Sequence, residues 1–208
     1  MDPNTFPTKG NLIHAKNSLA LSRQGYELMD KKRNILIREL MELIGQATDI
    51  QKEIDETFTS AYLALQKANI QMGIHEVEAL SLSVPVETSV IIKRRSVMGT
   101  EIPKVEYDRQ ELRPAYGFFG TKMSLDQACE RFQKVKELTI RLAQIETSAY
   151  RLAYNIKKTQ KRANALQNIT IPRFESLVKD IQNALEEKER EEFTRLKVIK
   201  RMKQRKSQ

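Results

Sequence analysis

The sequence predicts a mainly α-helical protein: a long antiparallel two-helix coiled coil, formed by an N-terminal and a C-terminal arm, with a short β-hairpin-containing insert between them. Three observations carry this fold class. Apolar residues recur with a heptad period from Leu12 to about Met72 and again from Leu125 to about Met202. Between the arms lies a stretch in which β-branched residues, proline and glycine replace the heptads. The composition, 30% charged with no Trp, seven Gly and six Pro in 208 residues, suits long helices better than a compact mixed core. The expected divisions are an N-terminal arm over 1–80, an insert over 81–123 and a C-terminal arm over 124–208, together one structural unit.

In the first arm, positions seven apart from Leu12 hold Leu19, Tyr26, Arg33, Leu40, Ala47, Ile54, Ala61 and Ala68. Three residues later in each heptad stand Ala15, Ser22, Met29, Leu36, Leu43, Ile50, Thr57 and Ala64. This is a coiled-coil seam, interrupted only by Arg33 and two hydroxyl residues. Late in the arm, Phe58, Leu65 and Met72 predict that the stripe drifts by one position, as a straight 3.6-residue helix would require. Alanine along the seam permits a close approach of the partner helix.

The insert reads as strands and turns. Val90, Ile91 and Ile92 give β-branched density, Met98-Gly99-Thr100 supplies a turn, and Ile102, Val105 and Tyr107 continue as a second extended run, with Pro103 at an edge-tolerated place. The following loop, Pro114 to Gly120, carries Tyr116, Phe118 and Phe119; it is read either as packing against the end of the coiled coil or as a docking surface.

The second arm opens on a capping-box pattern, Ser124 with Gln127. Its seam holds Ala128, Val135, Leu142, Ala149, Ile156 and Ala163 at one set of positions and Leu138, Ile145, Leu152 and Leu166 at the other. Pro172 is its one internal fault, because an interior proline deletes a backbone hydrogen bond and clashes one turn back. The helix is expected to bend or open near Thr170 to Arg173 and to resume with Phe174, Leu177, Ile181 and Leu185. Two arms that each leave an apolar stripe in water should pair, and the insert is about the right size to reverse the chain, so an intramolecular antiparallel hairpin is preferred to a parallel dimer.

The formal charge of +9 is unevenly spread. After Glu192 come Arg195, Lys197, Lys200, Arg201, Lys203, Arg205 and Lys206 with no acid among them. A basic tip is either a solvated helix end favoured by the helix dipole or a contact surface for another protein. Nothing resembles a secretory leader, and no apolar run approaches the roughly 20 residues of a membrane span; an unsecreted chain without direct membrane insertion is expected. The lone Cys129 has no disulfide partner within the chain, and His14 and His75 give no metal-ligand spacing. Gly120-Thr121-Lys122 has the wrong order for a phosphate loop. The acid pairs Glu186-Glu187 and Glu191-Glu192 lie in a charged helix where solvation accounts for them. No cofactor and no catalysis by this chain are expected.

A further set of residues carries a family likeness: Lys158-Thr-Gln-Lys-Arg-Ala-Asn-Ala-Leu166, Ile171-Pro172, Leu185-Glu-Glu-Lys-Glu-Arg-Glu-Glu192, Arg195-Leu-Lys197, Pro7-Thr8-Lys9, Gly25 to Arg33, and Arg95-Ser-Val-Met98. With these, nearly the whole chain resembles the D subunits of the rotary V-type (vacuolar/archaeal-type) ATPases. The resemblance implies a non-catalytic central-stalk rotor shaft that transmits torque between a hexamer of catalytic and nucleotide-binding subunits and an ion-translocating membrane ring. It implies a cytoplasmic position peripheral to the membrane, in the soluble sector. The implied partners are that hexamer, the small F subunit on the side of the shaft, and a funnel-shaped subunit linking the foot to the ring.

By the same resemblance Leu12, Leu19, Arg195, Lys197, Lys200 and Arg201 face the stator. Arg162, Asn164, Leu166 and Pro172 form the second-arm motif and bend, and Arg95, Val97, Met98 and Tyr107 face the lower rotor partners. Heptads alone are equally compatible with a non-rotary coiled-coil scaffold or adaptor. A coiled coil on nucleic acid or a membrane surface is disfavoured, because acids interleave through Glu186 to Glu192 and leave no unbroken basic face.

Overall fold

The structure is a computed structural model and describes residues 6–84, 88–108, 116–117 and 119–206. In chain order it contains helix α1 (Lys9–Met72), helix α2 (Ile74–Ser81), strands β1 (Val90–Val97) and β2 (Thr100–Tyr107), helix α3 (Met123–Ala165), a single π-helical turn (Leu166–Thr170) and helix α4 (Ile171–Lys206). Long N- and C-terminal helices with a two-stranded antiparallel sheet between them match the expected fold class. Part of the aromatic loop, Pro114, Ala115 and Phe118, lies outside the described residues.

The chain divides into two compact units, Met1–Arg33 with Lys157–Gln208, and Asn34–Ile156. In the first, Lys9 pairs with Glu189, Arg23 with Glu175, and Arg33 with Gln160. Rising numbers on α1 meet falling numbers on the C-terminal arm, so the two run antiparallel. These polar contacts are mostly exposed, and exposed ion pairs are worth only about 0–1 kcal/mol each. The seam carries more: Ala15, Ala163 and Ile181 are buried, and Leu12, Leu19, Tyr26, Met29, Leu166 and Phe174 are half-buried.

The π-turn explains how Pro172 is accommodated. Ile171 N–H donates to the carbonyl of Leu166, five residues back, and Ala165 and Ile171 on either side keep helical dihedrals. The Thr170 hydroxyl donates to the Ala165 carbonyl at 3.3 Å. The helix therefore widens just before the proline rather than opening around it, and Pro172 falls in the first turn of α4, where its missing N–H is tolerated. A π-turn also inserts one residue. An unbroken heptad from Ala163 would reach Thr170, Leu177 and Ala184, which are half-buried, but from Leu166 it would put the exposed Arg173 and Asp180 on the seam; Ile171, Phe174, Val178, Ile181 and Leu185, one position later, are all buried or half-buried. The turn thus keeps the apolar stripe on its partner.

In the second unit, the Arg131 guanidinium reaches the Ser60 carbonyl at 2.7 Å and the Ser124 hydroxyl donates to Gln71 at 2.8 Å, again with antiparallel order. Buried Ala61, Ala64 and Ala68 face this pairing. Phe58, Leu65 and Met72 are half-buried, as the expected drift requires. Tyr62 stacks on Phe58 and meets Phe132 edge-on. α3 begins at Met123, two residues before the start that a cap at Ser124 would give, so Ser124 lies inside the helix, and its hydroxyl donates across the helix pair.

Gly73 ends α1 with φ +92, a left-handed conformation that a glycine adopts without strain, and α2 follows at once. Val77 of α2 then packs with Ala68 and Leu125, alongside half-buried Leu65, Met72, Tyr116 and Cys129. Cys129 is thus a helix residue flanking a small core.

The hairpin turn is Met98-Gly99, both with positive φ, 48 and 76. Two central residues in this region make a type I′ turn, whose twist suits two-residue hairpins. The register runs from Val97↔Thr100 to Val90↔Tyr107. Ile102 anchors the sheet by joining Leu36 and Leu152, both fully buried, in a cluster that also takes in Val97, Leu40, Leu43 and Ile156. Burying a leucine fully contributes about 1.5–3 kcal/mol, so this cluster fixes the hairpin against α1 and α3.

Candidate functional site

Three surfaces gather the residues singled out in the sequence, and each lies within one unit. The first surrounds the π-turn. Arg33, the charged residue that interrupts the α1 seam, pairs with Asp30 and donates to Gln160 Oε1 at 2.8 Å. Gln160 Nε2 in turn donates to Asn164 Oδ1 at 2.7 Å. Asn164 thereby orients Gln160 toward Arg33, and the seam cation is satisfied in place. This network was not read in the sequence, although the lone Arg33 on an apolar stripe was its signal. Leu166 lies over Gly25, where an added Cβ would meet its Cδ1 at 3.8 Å. Arg162 and Pro172 are exposed, so the motif joins an inward pair, Leu166 and the oriented Gln160, to an outward cation.

The second surface is the end of α4. Lys9, the first residue of α1, sits at Glu189, so the turns beyond have no α1 residue opposite them. Every described side chain from Glu186 to Arg205 is exposed. Among them Phe193 is 70% and Leu196 65% exposed, with Ile199 and Met202 also bare. Arg195, Lys197, Lys200 and Arg201 share this helix, and Arg195 is held loosely by Glu191 at 3.7 Å. Leu12 and Leu19, expected beside them as stator contacts, are half-buried on the seam.

The third surface is the hairpin. Arg95 is exposed opposite Ile102, and Met98 is exposed at the turn. Val97 belongs to the internal cluster. Tyr107 is half-buried with the Lys136 ammonium 5.6 Å from its ring centroid, and its hydroxyl is buried without a hydrogen-bond partner among the described residues. The structure thus separates the four: Arg95 and Met98 are presented, while Val97 and Tyr107 mainly hold the hairpin on the helices.

Electrostatics here are local. The hydrogen bond from Lys93 holds the Glu106 carboxyl below its ordinary range against the opposing effect of burial, with smaller help from the charges of Lys93 and Lys104. Near α3, burial pushes the Tyr116 phenol up, helped by its hydrogen bond to Asp126 at 2.6 Å and its contact with Cys129 at 3.8 Å. Among the described residues no group of three or more His, Cys, Asp or Glu is placed to hold a metal ion, and no helix is long and apolar enough to cross a membrane.

With this arrangement in view, comparison with known proteins is decisive. The profile of the family of ATP synthase D subunits matches residues 11–201. The chain belongs to that family. It is similar to the V-type ATP synthase D subunit of Thermotoga neapolitana, 46% identical over 194 residues, which span 93% of this chain and 96% of that one. The A-type ATP synthase D subunit of Thermococcus kodakarensis is 36% identical over 200 residues, 95% of this chain and 94% of its own length. That of Pyrococcus furiosus is 34% identical over 197 residues, covering 93% and 92%. The match to the ATP synthase D subunits takes in the π-turn motif, the hairpin and most of the α4 end alike.

Proposed function

We propose that this chain is the central-stalk rotor subunit of a rotary V/A-type ATPase or ATP synthase, a non-catalytic part that transmits torque between the nucleotide-processing hexamer and the ion-translocating ring. One observation supports this above the others: the end of α4, beyond its pairing with α1, carries cations and bare apolar side chains with no partner among the described residues, within a chain matched by the family profile almost end to end. A solvated helix end needs no exposed Phe193, Leu196, Ile199 and Met202. A tip that turns inside a cavity needs apolar surface to bear on and cations to make graded contacts.

The coupling this requires is differential contact. A pair of helices has no threefold symmetry, so at each angle it meets three otherwise equivalent catalytic sites differently, and a ligand shifts a conformational equilibrium only by as much as its affinities for the states differ. Arg195, Lys197, Lys200 and Arg201 supply contacts worth about 0–1 kcal/mol each at exposed positions, weak enough to exchange as the tip rotates. On this reading the hexamer holds the tip, and the hairpin unit meets the small F subunit and the funnel-shaped subunit above the ring. The chain works on the cytoplasmic side, peripheral to the membrane.

The test is removal of residues 195–208 in the reconstituted complex. The shortened chain keeps its α1 pairing, since every α1 contact of the C-terminal arm named above lies at or before Glu189. Assembly or the coupling of ATP hydrolysis to ion transport falls. Hydrolysis and transport both at wild-type levels would remove the proposal.

A further inference from the structure

The two edges of the hairpin are treated differently. On β2, the Val105 N–H donates to Gln144 Oε1 at 2.9 Å, and the Glu101 carbonyl accepts from the Arg151 guanidinium at 3.2 Å. Those backbone groups therefore point away from β1, toward α3. In an antiparallel ladder alternate residues turn outward together, so Thr100, Ile102, Lys104 and Glu106 bond to Val97, Arg95, Lys93 and Ile91. Pro103 falls among the outward residues of β2 and deletes no ladder bond. The same alternation turns the N–H and C=O of Ile92, Arg94 and Ser96 outward on the far side of β1. Among the described residues no hydrogen bond reaches those groups. One edge is sealed by side chains of α3, and the other is open among the described residues.

The open edge lacks most of the devices that protect such strands. It is eight residues long, carries no proline, and leaves Ile91 58% and Ile92 69% exposed. Its only guard is charge, Lys93, Arg94 and Arg95, with no acid in the strand. Lys93 is engaged by Glu106 and Arg94 by Glu101 at 3.4 Å. Arg95 faces Ile102 across the ladder and has no ion pair among the described residues. A bare edge of one charge sign repels a second copy of itself and accepts a strand of opposite sign.

We infer that β1 is a docking edge for an extended segment of a partner protein with Asp or Glu at alternate positions, which joins the hairpin as a third strand. Main-chain bonds to Ile92, Arg94 and Ser96 supply the pairing, and acids beside Lys93 and Arg95 on one face set its register and choose the partner. This rests on the rotor reading, because the segment is sought among the subunits that assemble around this chain.

Residue-resolved amide hydrogen exchange of the full chain, free and in the assembled ATPase complex, tests it. On assembly the amides of Ile92, Arg94 and Ser96 slow by at least about tenfold, while those of Ile91, Lys93 and Arg95, already in the ladder, change little. Uniform slowing, or none at the three outward amides, overturns the edge proposal and leaves the rotor reading standing. A chain that does not enter the complex at all overturns both. As a second arm, Ile92→Pro removes an outward N–H much as Pro103 does on β2. It lowers affinity for a complex prepared without this chain by about fivefold relative to Ile92→Ala, the loss expected for one backbone bond. Equal affinities of the two variants count against strand addition.

Discussion

Deleting Asn168 from the π-turn, with and without Pro172→Ala, separates the two roles assigned to that turn. If the turn both holds the seam in phase and makes room for the proline, the deletion alone preserves the phase but strands Pro172 inside a continuous α-helix, at a cost of about 3 kcal/mol. Pro172→Ala alone should leave the π-turn in place. Straightening the full-length helix would bring Arg173 and Asp180 onto the seam and expel Phe174 and Ile181, the latter 2% exposed. Losing two such side chains costs about 3–6 kcal/mol, against about 1 kcal/mol for one improved helical hydrogen bond. The phase wins, and the single substitution changes stability by no more than about 1 kcal/mol. The double variant has an in-phase, proline-free helix and returns to within about 1 kcal/mol of the parent. In thermal unfolding the deletion alone lowers Tm by about 6–12 °C for a chain of this size, and most of that is recovered in the double variant. A harmless deletion would sink the account. So would amide exchange showing that Pro172→Ala alone converts the turn to regular α-helix, since the proline and not the seam would then be imposing the width.

Three further outcomes follow from particular residues. Gly25→Ala should stabilise α1 by about 0.5–1 kcal/mol, because the new methyl meets Leu166 at an ordinary 3.8 Å; a lower Tm would show the approach to be tighter than that distance. Met98→Gly should slow amide exchange across the hairpin by relieving a left-handed non-glycine residue, φ 48, a gain of about 1 kcal/mol, and faster exchange would mean that the Met98 side chain contributes packing. Glu106 should titrate below the ordinary glutamate value of about 4.3, with Lys93→Gln moving its midpoint back up. Because its folded value is depressed, its contribution to hairpin stability is present above the unfolded value and disappears as pH falls through the folded one; an NMR midpoint unaffected by Lys93→Gln would contradict the assignment to that bond.

The parts of this structure that sequence reading reaches are those governed by local period, and the parts it misses are those decided by a partner far along the chain. Every heptad position named in the first arm, from Leu12 to Ala68, is buried or half-buried, because a 3.5-residue period leaves an apolar stripe only one place to go. The hairpin turn is equally legible, since a glycine beside β-branched runs restricts the choices. Pro172 marks a fault, but whether it bends, opens or widens the helix depends on counting the seam across it, from Ala163 to Ile171 and from Leu166 to Phe174. The capping pattern at Ser124 satisfies its local rule, yet α3 already begins at Met123 and the Ser124 hydroxyl donates to Gln71, 53 positions away. The sealing of β2 by Gln144 and Arg151 joins residues 39 and 50 positions apart, with no local signature.

The same distinction bears on the contact residues. Leu12 and Leu19, which the resemblance turns toward the stator, also lie on the seam, and a seam residue spends part of its apolar surface on the neighbouring helix. Apolar surface is left unspent where the pattern loses its partner. In the first unit that happens beyond Glu189, where Phe193, Leu196, Ile199 and Met202 continue as apolar positions with no helix facing them among the described residues. In the second it happens along β1, where the ladder ends with Ile92, Arg94 and Ser96 still carrying backbone groups to pair. Both places combine unspent apolar area with an excess of cations, so on the proposed rotor reading and docking edge raised ionic strength should loosen contacts at each without unfolding the buried seam beneath, which screening barely touches.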